Sequence, residues 1–199
     1  MVFSVFLAAA FITCLMIFLV KNTRFSLRIY QFAQSVPLIF ICVFLGGKTL
    51  ALINGNPWGF VFYGALIGLI TGIFLESRRR KISMLIYTDT FLRLLPIGQA
   101  IGRIGCYFNG CCYGTLIIPV QFIESGFCLA LGTILLLWQT NKTGRYTFAY
   151  LSAYSLFRFF LEFFREDEIR GFYGVFSTSQ WISIAIIFVL ILNRKHIRT

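Results

Sequence analysis

A succession of long apolar runs separated by short loops constrains this chain more than any other feature. Runs at residues 2–20, 31–53, 59–76, 119–138, 146–164 and 177–193 are each about as long as a helix needs to cross a bilayer. A seventh element, residues 84–114, is longer and less apolar, and Asp89, Arg93, Pro96 and Arg103 interrupt it. The spacing predicts an all-α, polytopic membrane protein of seven transmembrane helices, organised as a single transmembrane domain over residues 1–199. Within 199 residues there is no room for a separate soluble domain. With 58% hydrophobic and only 13% charged residues, the chain is excluded from the soluble enzymes, disordered tails and small disulfide-stapled domains.

Charge sets the expected orientation. The loops at 21–29, 78–81 and 141–145 and the tail at 194–199 hold twelve of the eighteen Lys and Arg, so they belong on the cytoplasmic side. The amino terminus is then outside and the carboxyl terminus inside. That arrangement needs an odd number of crossings, and 84–114 crosses once as a kinked span or a broken helix. No small-residue cleavage site follows the first run, which reads as a retained helix. The net charge of +11 follows from the positive-inside bias, with attraction to anionic headgroups as a second cause. Basic patches interleaved with aromatics are absent, so no nucleic-acid partner is expected.

Six basic residues lie off those loops: Lys48, Arg93, Arg103, Arg158, Arg165 and Arg170. A charge at the bilayer centre costs at least about 2.5–3.5 kcal/mol, so such residues face a bundle interior or a wet cavity. Arg93 stands four residues after Asp89, and mutual neutralisation explains that pair without a ligand. The sixth run says more. Tyr154, Arg158, Glu162 and Arg165 share one helical stripe, and Phe157, Phe159, Phe160, Phe163 and Phe164 occupy the remaining face. Two guanidiniums flanking one carboxylate leave positive charge, which suits a phosphate held in bidentate fashion. An interhelical ion-pair network without a ligand is the competing explanation.

Between Gly98 and Gly114, five glycines accompany Arg103 and Asn109. They permit close helix packing or an unwound backbone, and freed N–H groups beside Arg103 would form an anion-binding concavity. The same segment holds Cys106, Cys111 and Cys112. These could be a thiolate whose pKa Arg103 lowers, a disulfide on an oxidising face, or small packing residues. A metal site is not expected: adjacent cysteines are poor joint ligands, and the sole histidine, His196, lies in the cytoplasmic tail. Cys14, Cys42 and Cys128 sit singly in apolar runs and read as small hydrophobes. No cofactor is implied.

Two of these motifs resemble the bacterial prolipoprotein diacylglyceryl transferase family. Gly102-Arg103-Ile104-Gly105-Cys106-Tyr107-Phe108-Asn109-Gly110-Cys111-Cys112-Tyr113-Gly114 is similar to the family signature G-R-x-G-N-F-x-N-G-E-x-x-G. Tyr154-x3-Arg158-x3-Glu162-x2-Arg165 resembles its Y-x3-R-x3-E-x2-R helix. Weaker echoes are Gly64-Ala65-Leu66-Ile67-Gly68, Pro119-x-Gln121-x2-Glu124 and Ser179-Gln180. Three departures stand out. Cys106 replaces an Asn, Cys111 replaces a Glu, and Tyr63 stands where the family carries a His before Gly64. Only four residues separate Gly114 from Pro119, where the family usually inserts an outward-facing head domain.

The resemblance implies a seven-span protein of the bacterial inner membrane. Its activity would be transfer of a diacylglyceryl group from phosphatidylglycerol to a thiol, such as the cysteine of a lipobox-containing lipoprotein precursor. Arg103 and Arg158 would hold the phosphate, and Glu162 would orient them or take a proton. Tyr63, Gly64, Cys106, Asn109, Cys111, Gly114, Glu124, Tyr154 and Arg165 would bind substrate. The alternatives are a phospholipid-binding homologue without turnover and a transferase with a different acceptor. A transporter of a small anion would show a repeat of spans, and none is visible.

Overall fold

The computed structural model describes residues 29–53, 62–110, 114, 119–140, 142–166 and 172–193. The expected first span, 2–20, lies outside them. The described architecture is all-helical. In chain order it comprises α1 (Ile29–Ile53), α2 (Phe62–Arg80), α3 (Met84–Phe108), α4 (Val120–Leu137) and α5 (Arg145–Leu161). A 3-10 turn at Glu162–Phe164 follows, then a hairpin of β1 (Phe172–Tyr173) and β2 (Phe176–Ser177), and finally α6 (Thr178–Leu192). Two of these helices, over Tyr30–Ile53 and Val120–Leu137, are long and apolar enough to cross a membrane.

Polarity is arranged as in a bundle immersed in lipid. Large apolar side chains such as Phe40, Leu45, Ile67, Ile134, Phe160 and Phe188 are exposed, while Glu76, Arg93, Glu124, Arg158 and Glu162 are buried. Lipid offers no hydration to a charge, so the charged groups collect where other protein groups can satisfy them.

The described residues form two compact units, one within Asn22–Thr90 and the other within Phe91–Thr199. In the first, α1 and α2 approach backbone to backbone. A Cβ on Gly46 or Gly64 would collide with the other's carbonyl oxygen, and one on Gly68 with the carbonyl of Cys42. Gly64, Gly68 and Gly72 recur at every fourth position, so one bare stripe of α2 faces α1. At the end of α2, fully buried Glu76 accepts two hydrogen bonds of 2.6 Å from Arg79 and a third of 3.2 Å from Arg80. Nearby, the hydroxyls of Ser35 and Tyr87 lie 3.3 Å apart.

In the second unit, α4 and α5 meet around Leu131, Leu135, Tyr146 and Tyr150, and Phe127 stacks on Phe157 with centroids 3.8 Å apart. The 84–114 element resolves as one continuous helix to Phe108, running through the fully buried Pro96, and it ends in a turn at Asn109-Gly110. Gly110 there adopts φ +66°, a left-handed conformation that glycine takes without a Cβ penalty. Arg93 has a structural task in this unit. Its Nε donates to the Leu135 carbonyl and its Nη2 to that of Leu136, capping the last turn of α4. The guanidinium also lies over the Tyr146 ring at 4.8 Å. A reciprocal capping box starts α6: Ser177 Oγ accepts from the Gln180 amide, and Gln180 Oε1 accepts from the Ser177 amide.

Candidate functional site

The charged stripe of α5 points into the second unit. Arg158 and Glu162 are buried, and their ion pair across one helical turn is 2.8 Å from Nη2 to Oε2. At Glu162 the helix tightens into the 3-10 turn, which brings Arg165 to 3.7 Å from the same carboxylate oxygen. The α-helical spacing anticipated one continuous stripe, and the tighter turn completes it. On the opposite face, Phe160, Phe163 and Phe164 are exposed.

Two further helices bring charge to this stripe. From α4, Glu124 projects toward both α3 and α5. Its Oε1 lies 2.9 Å from Arg103 Nη2 and accepts a 2.8 Å hydrogen bond from the Tyr154 hydroxyl. Its Oε2 lies 3.5 Å from Arg158 Nη1. The result is an alternating chain, Arg103, Glu124, Arg158, Glu162, Arg165, assembled from three helices and the turn after α5. Among the described residues, this chain of ion pairs sets three guanidiniums against two carboxylates in a mostly buried cluster. Arg158 Nη1 is buried and makes no hydrogen bond among the described residues. Ser179 Oγ, on α6, lies 3.5 Å from Arg158 Nη2.

The structure therefore unites Arg103, Glu124, Tyr154, Arg158, Glu162 and Arg165. Gly114 joins them through the backbone: it forms an isolated antiparallel bridge with Arg165, and a Cβ at Gly114 would collide with the Phe164 carbonyl oxygen. Cys106 is half-buried one turn beyond Arg103 on α3. Asn109 is exposed in the turn after α3, and its amide donates to the Gly105 carbonyl at 3.1 Å. Cys111 and Cys112 lie outside the described residues. Tyr63 and Gly64 belong to the other unit, Tyr63 in the first turn of α2 and Gly64 against Gly46. Among the described residues, no group of three or more metal-ligating side chains occurs.

The sequence left the weight of Glu124 unread. It stood only in a weak echo, yet it is the carboxylate shared by Arg103 and Arg158. Also unread was a part-buried hydrogen bond of 2.7 Å from Tyr150 to Gln99, with the Cys128 thiol 3.9 Å from the same amide oxygen. The four-residue spacings Gln99/Arg103, Glu124/Cys128 and Tyr150/Tyr154 were the available signal.

Chemically, such a cluster can hold an anion. Guanidiniums in a site of low dielectric are strong, pre-oriented donors, and a phosphate oxygen could accept a hydrogen bond from Arg158 Nη1, which faces Glu124 Oε2 only at 3.5 Å.

A family model described as prolipoprotein diacylglyceryl transferase matches residues 1–193. A Clostridium perfringens protein named phosphatidylglycerol–prolipoprotein diacylglyceryl transferase 2 is 35% identical over 211 aligned residues, covering 86% of this chain and 81% of the relative. A Clostridium tetani protein named phosphatidylglycerol–prolipoprotein diacylglyceryl transferase is 33% identical, covering 73% of this chain and 72% of the relative.

Proposed function

The chain belongs to the prolipoprotein diacylglyceryl transferase family, and from that membership and the charge cluster we propose that it moves a diacylglyceryl group from phosphatidylglycerol to a cysteine thiol of a lipobox-containing precursor. Arg103 and Arg158 hold the phosphate of the donor lipid. The acceptor sulfur attacks the glycerol carbon that carries this phosphate. A sulfur–carbon bond forms, the carbon–oxygen bond breaks, and its electron pair leaves on the phosphate oxygen of glycerol phosphate. The thiol proton is lost to a base, and Glu162 is a carboxylate at hand as well as the group that orients Arg158 and Arg165. Glu124 bridges Arg103 and Arg158 and holds both guanidiniums in place for the anion.

The observation that carries this reading is the gathering of Arg103, Arg158 and Arg165 in one mostly buried cluster, with Arg158 Nη1 making no hydrogen bond among the described residues. Donors aimed at a leaving group are worth about 10²–10³ in rate each, and here they act on the group that gains charge. Tyr154, Arg165, Gly114, Asn109, Cys106, Cys111, Tyr63 and Gly64 complete the proposed substrate surface. The proposed setting is the bacterial inner membrane, crossed seven times, with the amino terminus outside and the carboxyl terminus cytoplasmic. One observation favours a second reading, lipid binding without turnover: Tyr63 replaces the family's His.

A single assay decides between them. Purified protein is incubated with phosphatidylglycerol and a synthetic lipobox peptide. Release of glycerol phosphate, with the peptide gaining one diacylglyceryl mass at its cysteine, supports the transferase. Bound phosphatidylglycerol with neither product supports the second reading and overturns the first.

A further inference from the structure

One helical turn from the charge layer lies a second polar layer that ion pairing does not explain. Gln99 precedes Arg103 by four residues on α3, Cys128 follows Glu124 by four on α4, and Tyr150 precedes Tyr154 by four on α5. Each member of the second layer therefore sits one turn from a member of the first, on the same helix and the same face. The contacts repeat the pattern. In the first layer, Glu124 on α4 gathers Arg103 and the Tyr154 hydroxyl. In the second, Gln99 on α3 gathers the Tyr150 hydroxyl at 2.7 Å and the Cys128 thiol at 3.9 Å. The rings of Tyr150 and Tyr154 stack nearly parallel, 7° apart with centroids at 5.6 Å, and so couple the layers.

Stability alone does not call for this polarity. Replacing both partners of a buried hydrogen bond with apolar groups of the same shape can be nearly neutral. What the pair supplies is geometry. The bond from Tyr150 to Gln99 fixes the Tyr150 ring, the stacked Tyr154 ring follows, and the Tyr154 hydroxyl holds Glu124 against Arg103. We propose that Gln99 and Tyr150 are positioning residues that set Glu124, and through it Arg103 and Arg158, for the donor phosphate. The inference rests on the transferase reading above.

The test uses Tyr150→Phe, Gln99→Leu and the double variant in the full-length protein. Glycerol phosphate release gives kcat and KM for phosphatidylglycerol, and thermal melting gives the folded state. Each single variant should lower kcat per folded molecule about tenfold, the value of one well-placed hydrogen bond, with a smaller change in KM and a modest fall in melting temperature from the partner left unpaired. Because both act through one bond, the double variant should be no worse than the poorer single variant. Wild-type kcat in Tyr150→Phe, which keeps the stacked ring, overturns the inference alone. So do losses that multiply in the double variant, or a lowered melting temperature with kcat per folded molecule unchanged. Absence of release in the wild-type protein instead refutes the transferase reading. The variants are then compared in phosphatidylglycerol binding, where affinities equal to wild type overturn the positioning role as well.

Discussion

Replacing Arg158 with lysine keeps the charge and removes the fork. In the structure the guanidinium reaches Glu162 through Nη2 at 2.8 Å and faces Glu124 through Nη1 at 3.5 Å, with Ser179 Oγ also 3.5 Å from Nη2. A single ammonium cannot stand at both carboxylates and also meet a phosphate oxygen. Arg158→Lys thus forfeits at least one charge-assisted hydrogen bond, about 1.5–3 kcal/mol, which corresponds to about a 10- to 150-fold fall in kcat/KM. The alanine variant is a poorer probe. It removes the cation that buried Glu124 and Glu162 share, so a loss of stability is mixed with the loss of rate. The assay is the initial rate of glycerol phosphate release from phosphatidylglycerol in mixed micelles, normalised to folded protein by thermal melting. Arg165→Lys, whose ion pair to Glu162 is longer at 3.7 Å, should lose less. If Arg158→Lys stays within about threefold of wild type, less than one weak hydrogen bond, the fork is not holding the phosphate.

Arg103→Ala should abolish turnover, whereas Arg93→Ala should lower the melting temperature and leave turnover per folded molecule unchanged, because Arg93 caps α4; kinetics and melting on both variants check this. Gly68→Leu should yield little folded protein, since the Cys42 backbone occupies the space of a Cβ, while Gly126→Ala, with nothing within 4 Å of the added carbon, should fold and gain about 0.5–1 kcal/mol of helix stability. Expression and melting of the two read out the difference. Cysteines placed at Arg79 and Lys142 should react with an impermeant reagent from the cytoplasmic side alone, and reaction from opposite sides would refute the proposed seven-span orientation.

The helices were largely legible because their ends are written locally. Pro119 precedes α4, Gly144 precedes α5, and the Ser177/Gln180 pair forms a capping box at the start of α6. The stripe from Tyr154 to Arg165 was readable for the same reason, since it lies on one helix and the turn that follows. The continuity of α3 through Pro96 was not. Whether a proline breaks a membrane helix depends on what surrounds it, and Pro96 is fully buried. The role of Glu124 escaped on similar grounds. It is separated in sequence from both Arg103 and Arg158, and periodicity carries no information about which helices become neighbours. Arg93 shows the same limit: its four-residue spacing from Asp89 is visible in the sequence, but that its Nε and Nη2 reach the carbonyls of a different helix is not.

The most direct test of the account is a structure of the full-length protein with phosphatidylglycerol bound, read for the position of the lipid phosphorus. The account predicts that the phosphate lies between the guanidiniums of Arg103 and Arg158, within hydrogen-bond distance of both, with Arg158 Nη1 among its donors. A phosphate bound elsewhere, out of reach of Arg103 and Arg158, would contradict it.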